Sequence, residues 1–496
     1  MIQTLRSLWS LPGAGAVVAL CVALSPGPTR AELRGKLELT PCRLPGASVQ
    51  VLCGTLPVPE DRVHPNGRTI QLRVALVPAV ARSPKPDPLF LLAGGPGQAA
   101  TEALPPLVHA AFEKIHKSRD LVLVDQRGTG KSNKLGCEPD EDTPLQERLA
   151  SRGFEEQRLR DCLAKLDADT RLYTTSIAMQ DLDEVRQALG YDKIDLWGGS
   201  YGTRASLVYL REHGQHARAV ILDGVAPTTM RLPLDFPRDS QRAIDLLFAA
   251  CAADAACAKA WPELDKKFTA LLARFDQGPI PAHVQDPRTG APLEVTIDRE
   301  SFTGLLRGEL YIPDMAALMP LTIERAAAGD FSPFVAEGEG LSGGFANSIA
   351  QGMMLSVLCA EDLSRFNDAD IVEASRGTFL GPEAVRDFQR GCSVWPHADL
   401  PPHFGDPVRS DVPVLLLSGE LDPVTPPRWA EEAKATLSDS VHFVAPGVGH
   451  GVTAVGCAPK LIEQFLDKGT ARGLDGSCIA RQKRPPFFVS FAGPTP

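Results

Sequence analysis

One stretch constrains the architecture more tightly than any other: Leu196-Trp197-Gly198-Gly199-Ser200-Tyr201-Gly202-Thr203. The apolar run 194–197 reads as a buried strand, and 201–211 reads as a helix. Ser200 stands at the corner, inside G-x-S-x-G. A strand that turns sharply into a helix holds such a serine in a strained backbone, with Oγ exposed above the sheet edge. A Cβ at Gly198 or Gly202 would collide with the neighbouring strand or helix. The helix N-terminus adds positive potential where an oxyanion would form. The motif predicts a nucleophilic serine. A tight strand-to-helix turn without chemistry is the alternative, so the rest of the chain must supply a base, an acid and oxyanion donors.

Two later segments fit those roles. The run 412–417 reads as a strand and leads into Ser418-Gly419-Glu420-Leu421-Asp422-Pro423. The run 441–444 reads as the next strand and leads into Gly447-Val448-Gly449-His450-Gly451. Asp422 is thereby placed to orient a histidine, and His450, among glycines, can approach Ser200 closely. Ser200, Asp422 and His450 occur in the chain order of α/β-hydrolases. Asp223, after the strand 219–222, is the rival acid. Its place before the last two strands does not fit that order. His450 is expected to take the Ser200 proton as Oγ attacks a carbonyl carbon, with Asp422 holding the imidazole tautomer. Tyr201 N–H should be one oxyanion donor, and Gly94 or Gly95 the other, from Gly94-Gly95-Pro96-Gly97 after the strand 88–93.

The remaining pattern supports an α/β class with a mostly parallel sheet covered on both faces. Strand-like runs at 49–56 and 69–77, broken by prolines, read as an antiparallel start. The strands 88–93, 121–124, 194–197 and 219–222 then alternate with helices at 104–117, 177–189 and 201–211. From about residue 227 to 403 the chain reads as helix-rich, and the strand pattern returns afterwards. The expected division is a signal peptide (1–31), a hydrolase core (32–226 and 404–480), a helical cap (227–403) and a loose C-terminal tail (481–496).

Composition narrows the function. The 496 residues carry a formal charge of −10, without the basic stripe of a nucleic-acid binder. Arg6, an apolar stretch at 11–24 and Thr29-Arg30-Ala31 read as an export signal cleaved after Ala31, the alternative being an uncleaved anchor. Later residues hold no stretch apolar enough for stable membrane insertion. Cleavage would leave ten cysteines, and export with an even count favours disulfides. Neighbour pairing (42/53, 137/162, 251/257, 359/392, 457/478) is the simplest of about nine hundred possibilities. No zinc-like C-x-x-C spacing occurs, so no metal or other cofactor is expected. Gly128-Thr129-Gly130-Lys131-Ser132 imitates the end of a P-loop, but Asp125 stands where its first glycine should be. Asp125 and Arg127 are expected to brace that loop.

Gly94-Gly95-Pro96-Gly97, Asp125-Gln126-Arg127-Gly128, Gly198-Gly199-Ser200-Tyr201-Gly202, Gly419-Glu420-Leu421-Asp422 and Gly447-Val448-Gly449-His450-Gly451 together resemble the proline iminopeptidase/tripeptidyl aminopeptidase family of α/β-hydrolases. The resemblance covers about 71–226 and 412–465. Proline iminopeptidases usually carry His before Gly-Gly-Pro-Gly, where this chain has Ala93. That departure, the export signal and the cysteine-containing cap favour the secreted tripeptidyl-aminopeptidase-like branch. The resemblance implies release of N-terminal residues or short peptides. It also implies acidic groups for the substrate's α-ammonium, for which Glu361 and Asp362 are the candidates. A carboxylesterase would share the triad without needing those carboxylates. A catalytically dead binding protein is the non-enzyme alternative. The expected partner is a peptide or small ester, and not a nucleic acid.

Overall fold

The computed structural model describes residues 31–137, 153–342, 348–399 and 402–494. The expected export signal falls on residues 1–30, outside the described residues, apart from Ala31. Ten strands form one sheet in the order β1 (Glu32–Arg34), β2 (Leu37–Cys42), β3 (Val51–Pro59), β4 (Thr69–Val77), β6 (Leu121–Val124), β5 (Leu89–Leu92), β7 (Ile194–Gly199), β8 (Ala217–Asp223), β11 (Val414–Gly419) and β12 (Ser440–Ala445). The pairings from β1 to β4, and β4 with β6, are antiparallel; the remainder, from β6 to β12, are parallel.

The parallel strands are buried on both faces, so alternate residues feed two cores. Phe90, Leu92, Leu196, Val220, Leu222 and Leu416 pack with Met179, Leu182 and Val185 of α1 (Thr175–Leu189) and Val208 of α2 (Tyr201–His213). Leu89, Leu91, Trp197, Ile221, Leu415 and Leu417 pack on the opposite side with Phe112, Ile115 and Leu461, Ile462 and Phe465. This two-sided burial fixes the strand register, and with it the loops at the strands' carboxyl ends.

The chain between β8 and β11 forms the cap. It has its own apolar cluster, built around Phe268, Phe275, Phe302, Phe331 and Phe334. Its main helices here are α3 (Arg299–Glu309), α4 (Met319–Ala327), α5 (Ser332–Ser342), α6 (Gln351–Glu361) and α7 (Glu383–Val394). The cap is not wholly helical. β9 (Ile280–Gln285) and β10 (Pro292–Ile297) pair antiparallel, with Ala282, Val284, Val295 and Ile297 turned inward. Prolines in both runs hide that alternation in the sequence. Three other expectations need adjustment. The sheet begins earlier, at β1. The helix expected over 104–117 breaks into Pro105–Ala110 and Glu113–His116. The expected loose tail packs on the cap: Phe487 is buried, and Trp261 Nε1 donates to Phe488 O at 2.9 Å.

Five disulfides join the neighbouring cysteines, Cys42–Cys53, Cys137–Cys162, Cys251–Cys257, Cys359–Cys392 and Cys457–Cys478. Among the described residues, no helix is long and apolar enough to cross a membrane.

Candidate active site

Ser200 occupies the turn between β7 and α2 with φ 57° and ψ −123°, a conformation costly for a residue with a Cβ. Two glycines permit the turn. A Cβ at Gly198 would lie 2.2 Å from Gly202 O, and one at Gly202 would lie 2.2 Å from Leu92 O. The start of α2 therefore abuts the end of β5, which sets the Gly94–Gly97 loop beside the serine. A Cβ on Gly94 would come within 3.1 Å of Ser200 Cβ. Tyr201 N–H lies in the first turn of α2, where backbone donors have no acceptor inside the helix. Cap residues fasten the glycine loop from above: Ala350 N–H donates to Gly97 O at 2.9 Å, and Gln98 Nε2 to Ser348 Oγ at 3.0 Å.

Asp422 and His450 meet across the last two parallel strands. A Cβ at Gly419 would lie 1.8 Å from Gly449 O, so only glycine lets the two loops close together. His450 Nδ1 lies 2.8 Å from Asp422 Oδ2. Asp422 is buried and also accepts from Val424 N–H, Thr425 N–H and Thr425 Oγ. Those bonds fix its carboxylate as an acceptor, so Nδ1 carries the proton and Nε2 is left unprotonated, the form that can accept a proton. Burial is the largest influence on His450 and lowers its pKa, but the charge and hydrogen bond of Asp422 outweigh it and raise the value above the ordinary 6.5. Burial likewise raises Asp422, yet His450 and the donated hydrogen bonds bring its value below normal. The cap closes over the imidazole: His450 N–H donates to Tyr311 O at 2.9 Å, and the two rings meet edge-on at 5.0 Å. Asp223, the rival acid, is turned elsewhere. Its carboxylate accepts from Val452 N–H and Thr453 N–H and so holds the loop that follows His450.

Asp125 accepts from Thr101 N–H and Oγ and from Lys131 N–H. Arg127 bonds Asp181 and the carbonyls of Glu60 and Leu172. The pair braces the loop after β6, beside the Gly94–Gly97 turn.

Glu361 and Asp362 end α6, fully buried behind the nucleophile helix. Glu361 accepts from Thr175 N–H at 2.7 Å and Oγ at 2.8 Å; Thr175 Oγ in turn lies 2.7 Å from Tyr201 Oη. Asp362 accepts from Arg204 Nη1 at 2.6 Å and Leu232 N–H at 2.9 Å. Burial is the main cause that pushes Glu361 up to about 7, against the lowering by Arg204 and Thr175. Both carboxylates thus have internal partners, which differs from the open ammonium receptor expected from sequence.

A second acidic pair was not expected. Glu309, at the end of α3, is fully buried, and neither of its oxygens has a hydrogen-bond donor among the described residues. Its neighbour is Glu337 of α5, whose two oxygens each lie 2.8 Å from Thr322 Oγ. Burial, then the adjacent Glu337 charge, raises Glu309 well above the carboxylate range, and burial raises Glu337 too. Two carboxyls in contact hold together when at least one of them keeps its proton. Tyr311, two residues beyond Glu309, contacts His450. A signal for Glu309 exists in the sequence: it shares a helical stripe with the core residues Phe302 and Leu306, where a carboxylate is out of place.

One group among the described residues has metal-ligand chemistry, Asp183 with His213 and His216, at the far end of α2 from Ser200. Asp183 already bonds Arg186, Gln187, Tyr209 and His216, and a dication there would face the Arg186 guanidinium.

Comparisons with known proteins bear on the fold and the family. The α/β hydrolase fold family matches residues 87–257, and the TAP-like protein family matches residues 378–478. The serine protease Hip1 of Mycobacterium tuberculosis is 31% identical over 281 residues, covering 52% of this chain and 54% of that protein. At that level of identity the chain spans about half the length of the curated relatives it matches. The tripeptidyl aminopeptidase of Streptomyces lividans is 24% identical over 461 residues, covering 86% of this chain and 83% of that protein. A proline iminopeptidase structure from Mycobacterium smegmatis is 15% identical with a TM-score of 0.35, covering 84% of this chain and 98% of that one.

Proposed function

We propose that this chain, which belongs to the α/β-hydrolases with a TAP-like C-terminal part, is an exported serine aminopeptidase that releases residues or short peptides from free peptide N-termini. The observation that carries the hydrolase reading is the Asp422–His450 bond at 2.8 Å in the loops beside the strained Ser200. His450 Nε2 takes the Ser200 proton as Oγ adds to the substrate carbonyl. The oxyanion is received by Tyr201 N–H and by the backbone of Gly94 or Gly95. His450 then gives its proton to the leaving amine, and water repeats the cycle on the acyl-enzyme.

Glu309 and Glu337 favour a peptide N-terminus over a simple ester. A carboxyl pair that keeps a proton and has no cationic partners is a poor structural device, because burial without partners costs stability. An entering α-ammonium displaces that proton and gains charge-assisted hydrogen bonds. In this reading Glu361 and Asp362, with their internal partners, hold the nucleophile helix against the cap. The five disulfides and the apolar N-terminal stretch support export, to periplasm or medium. The domain division proposed is the hydrolase core with the cap between β8 and β11.

Replacing Ser200 with Ala tests the nucleophile. The variant should melt like the wild type, fail to react with a fluorophosphonate, and lose turnover by about 10⁴-fold or more. Substantial residual turnover would sink the assignment.

A further inference from the structure

The proposed oxyanion donor, Tyr201 N–H, belongs to the peptide that joins Tyr201 to Ser200, so whatever orients that planar unit orients the donor. Its carbonyl end is held by the core. Ser200 O accepts from Thr203 N–H at 2.9 Å and from Thr203 Oγ at 2.5 Å, and Ala226 N–H donates to the same Thr203 Oγ at 2.8 Å. Its other end is held through the Tyr201 side chain. The ring is buried, and its hydroxyl lies 2.7 Å from Thr175 Oγ at the start of α1. A buried phenol needs such a partner. Thr175 is buried as well, and its hydroxyl and N–H both reach the Glu361 carboxyl, at 2.8 and 2.7 Å. The chain of three oxygens persists whether Glu361 is charged or protonated: one hydrogen lies in each gap, and only the direction of donation reverses.

Glu361 is the last residue of α6, a helix of the cap. The start of that helix touches the opposite side of the same site. Ala350, just before α6, donates to Gly97 O at 2.9 Å, in the loop proposed to give the second donor. One cap helix therefore reaches the glycine loop at its start and Tyr201 at its end. The backbone of Ser200 gives this tie a purpose, because a residue at φ 57° relaxes unless its neighbours hold it. We propose that Thr175 is a positioning residue for the oxyanion site: it links Tyr201 to Glu361, so that cap helix α6 holds the Ser200–Tyr201 peptide with its N–H aimed at the substrate oxygen. This inference rests on the serine-hydrolase part of the reading above and is independent of the aminopeptidase part.

The test measures Thr175→Val, Thr175→Ser and Tyr201→Phe in the full chain. Complete reaction with a fluorophosphonate counts the working sites in each preparation, so that rates refer to folded enzyme. Thr175→Val and Tyr201→Phe should each lower kcat/KM by about ten- to a hundredfold, for a nitrophenyl ester and for any peptide the enzyme cleaves, the scale of a displaced donor. Affinity for an alkyl trifluoromethyl ketone, whose adduct with the serine carries an oxyanion, should fall by the same factor. The double variant should lose little more than either single one, because both cut the same chain. Thr175→Ser keeps the hydroxyl and should retain most of the activity. A fall in Tm with unchanged turnover per titrated site and unchanged ketone affinity would reduce Thr175 to scaffold and overturn the inference. A loss confined to free peptides overturns it too, since it would return Glu361 to the ammonium. Should Thr175→Val fail to fold, Tyr201→Phe decides by the same readouts. If the wild type turns over neither substrate and leaves the fluorophosphonate untouched, the hydrolase reading itself fails, and this inference with it.

Discussion

Two acidic pairs sit within the same cap-and-core sandwich and have opposite surroundings. Glu361 and Asp362 are fully buried, yet each is met by donors: Thr175 for one, Arg204 and Leu232 N–H for the other. Glu309 is equally buried and, among the described residues, has no donor of its own; its neighbour is another acid, Glu337, which the Thr322 hydroxyl serves. A carboxylate with buried partners is part of the scaffold, because removing either side leaves an uncompensated charge. A carboxyl without them is maintained at a cost to stability, and a ligand that supplies the missing donors recovers it. Burial alone does not distinguish the pairs; the direction of the donors does.

That contrast can be broken by substitution, and the largest effect belongs to the partnered pair. Asp362→Ala leaves Arg204 buried without its counter-charge and should cost about 3–5 kcal/mol in urea denaturation. Next, Glu309→Gln should lower kcat/KM for free peptides by about ten- to a hundredfold, mainly through KM, as expected when an interaction that binds ground and transition states alike is lost. Hydrolysis of a small neutral ester should change far less, since it brings no ammonium. If Asp362 variants that still fold lose discrimination for the free N-terminus and Glu309→Gln does not, the two pairs have been assigned the wrong way round.

A smaller effect concerns pH. Glu361 sits at about 7 when folded against an ordinary 4.5. The folded protein therefore keeps this proton to higher pH than the unfolded chain does. Its contribution to stability is complete below the unfolded value and is lost as pH rises through the folded one. Between about pH 5 and pH 8 the wild-type Tm should fall further than that of Glu361→Gln. Equal slopes would show that Glu361 is not protonated in the fold. The smallest effect expected is none: a chelator should leave activity unchanged, because the proposed mechanism takes nucleophile and base from Ser200 and His450.

Much of this was legible because glycine and strand endings leave strong marks. Gly198, Gly202, Gly419 and Gly449 stand where backbones meet at distances no Cβ allows, and each lies next to an apolar run that could only be a buried strand. That is why Asp422 and His450 could be placed in adjacent strand-end loops from sequence. The β9–β10 hairpin was not legible, since Pro281 and Pro292 interrupt the alternation that would mark it. The tail was read as loose because Arg484-Pro485-Pro486 looks like a terminus without periodicity, whereas Phe487 supplies a single apolar anchor to the cap. The acidic pairs show the limit most clearly. Glu361-Asp362 stands out as adjacent acids beside a cysteine, but their partners Thr175 and Arg204 come from distant helices. Glu309 and Glu337 lie on separate helices in ordinary contexts, and only the packing of α3 on α5 brings them together. Pairing through space carries the chemistry here, and local sequence does not encode it.

The measurement that bears most directly on the account is the action of the purified protein on a mixed peptide library in free and N-acetylated forms, read by mass spectrometry beside a nitrophenyl ester. The account predicts that free peptides are shortened from their N-termini and acetylated ones are spared, with product length giving the number of residues released. Turnover of the ester alone, or equal cleavage of free and acetylated peptides, would contradict the claim that the cap reads a free ammonium group.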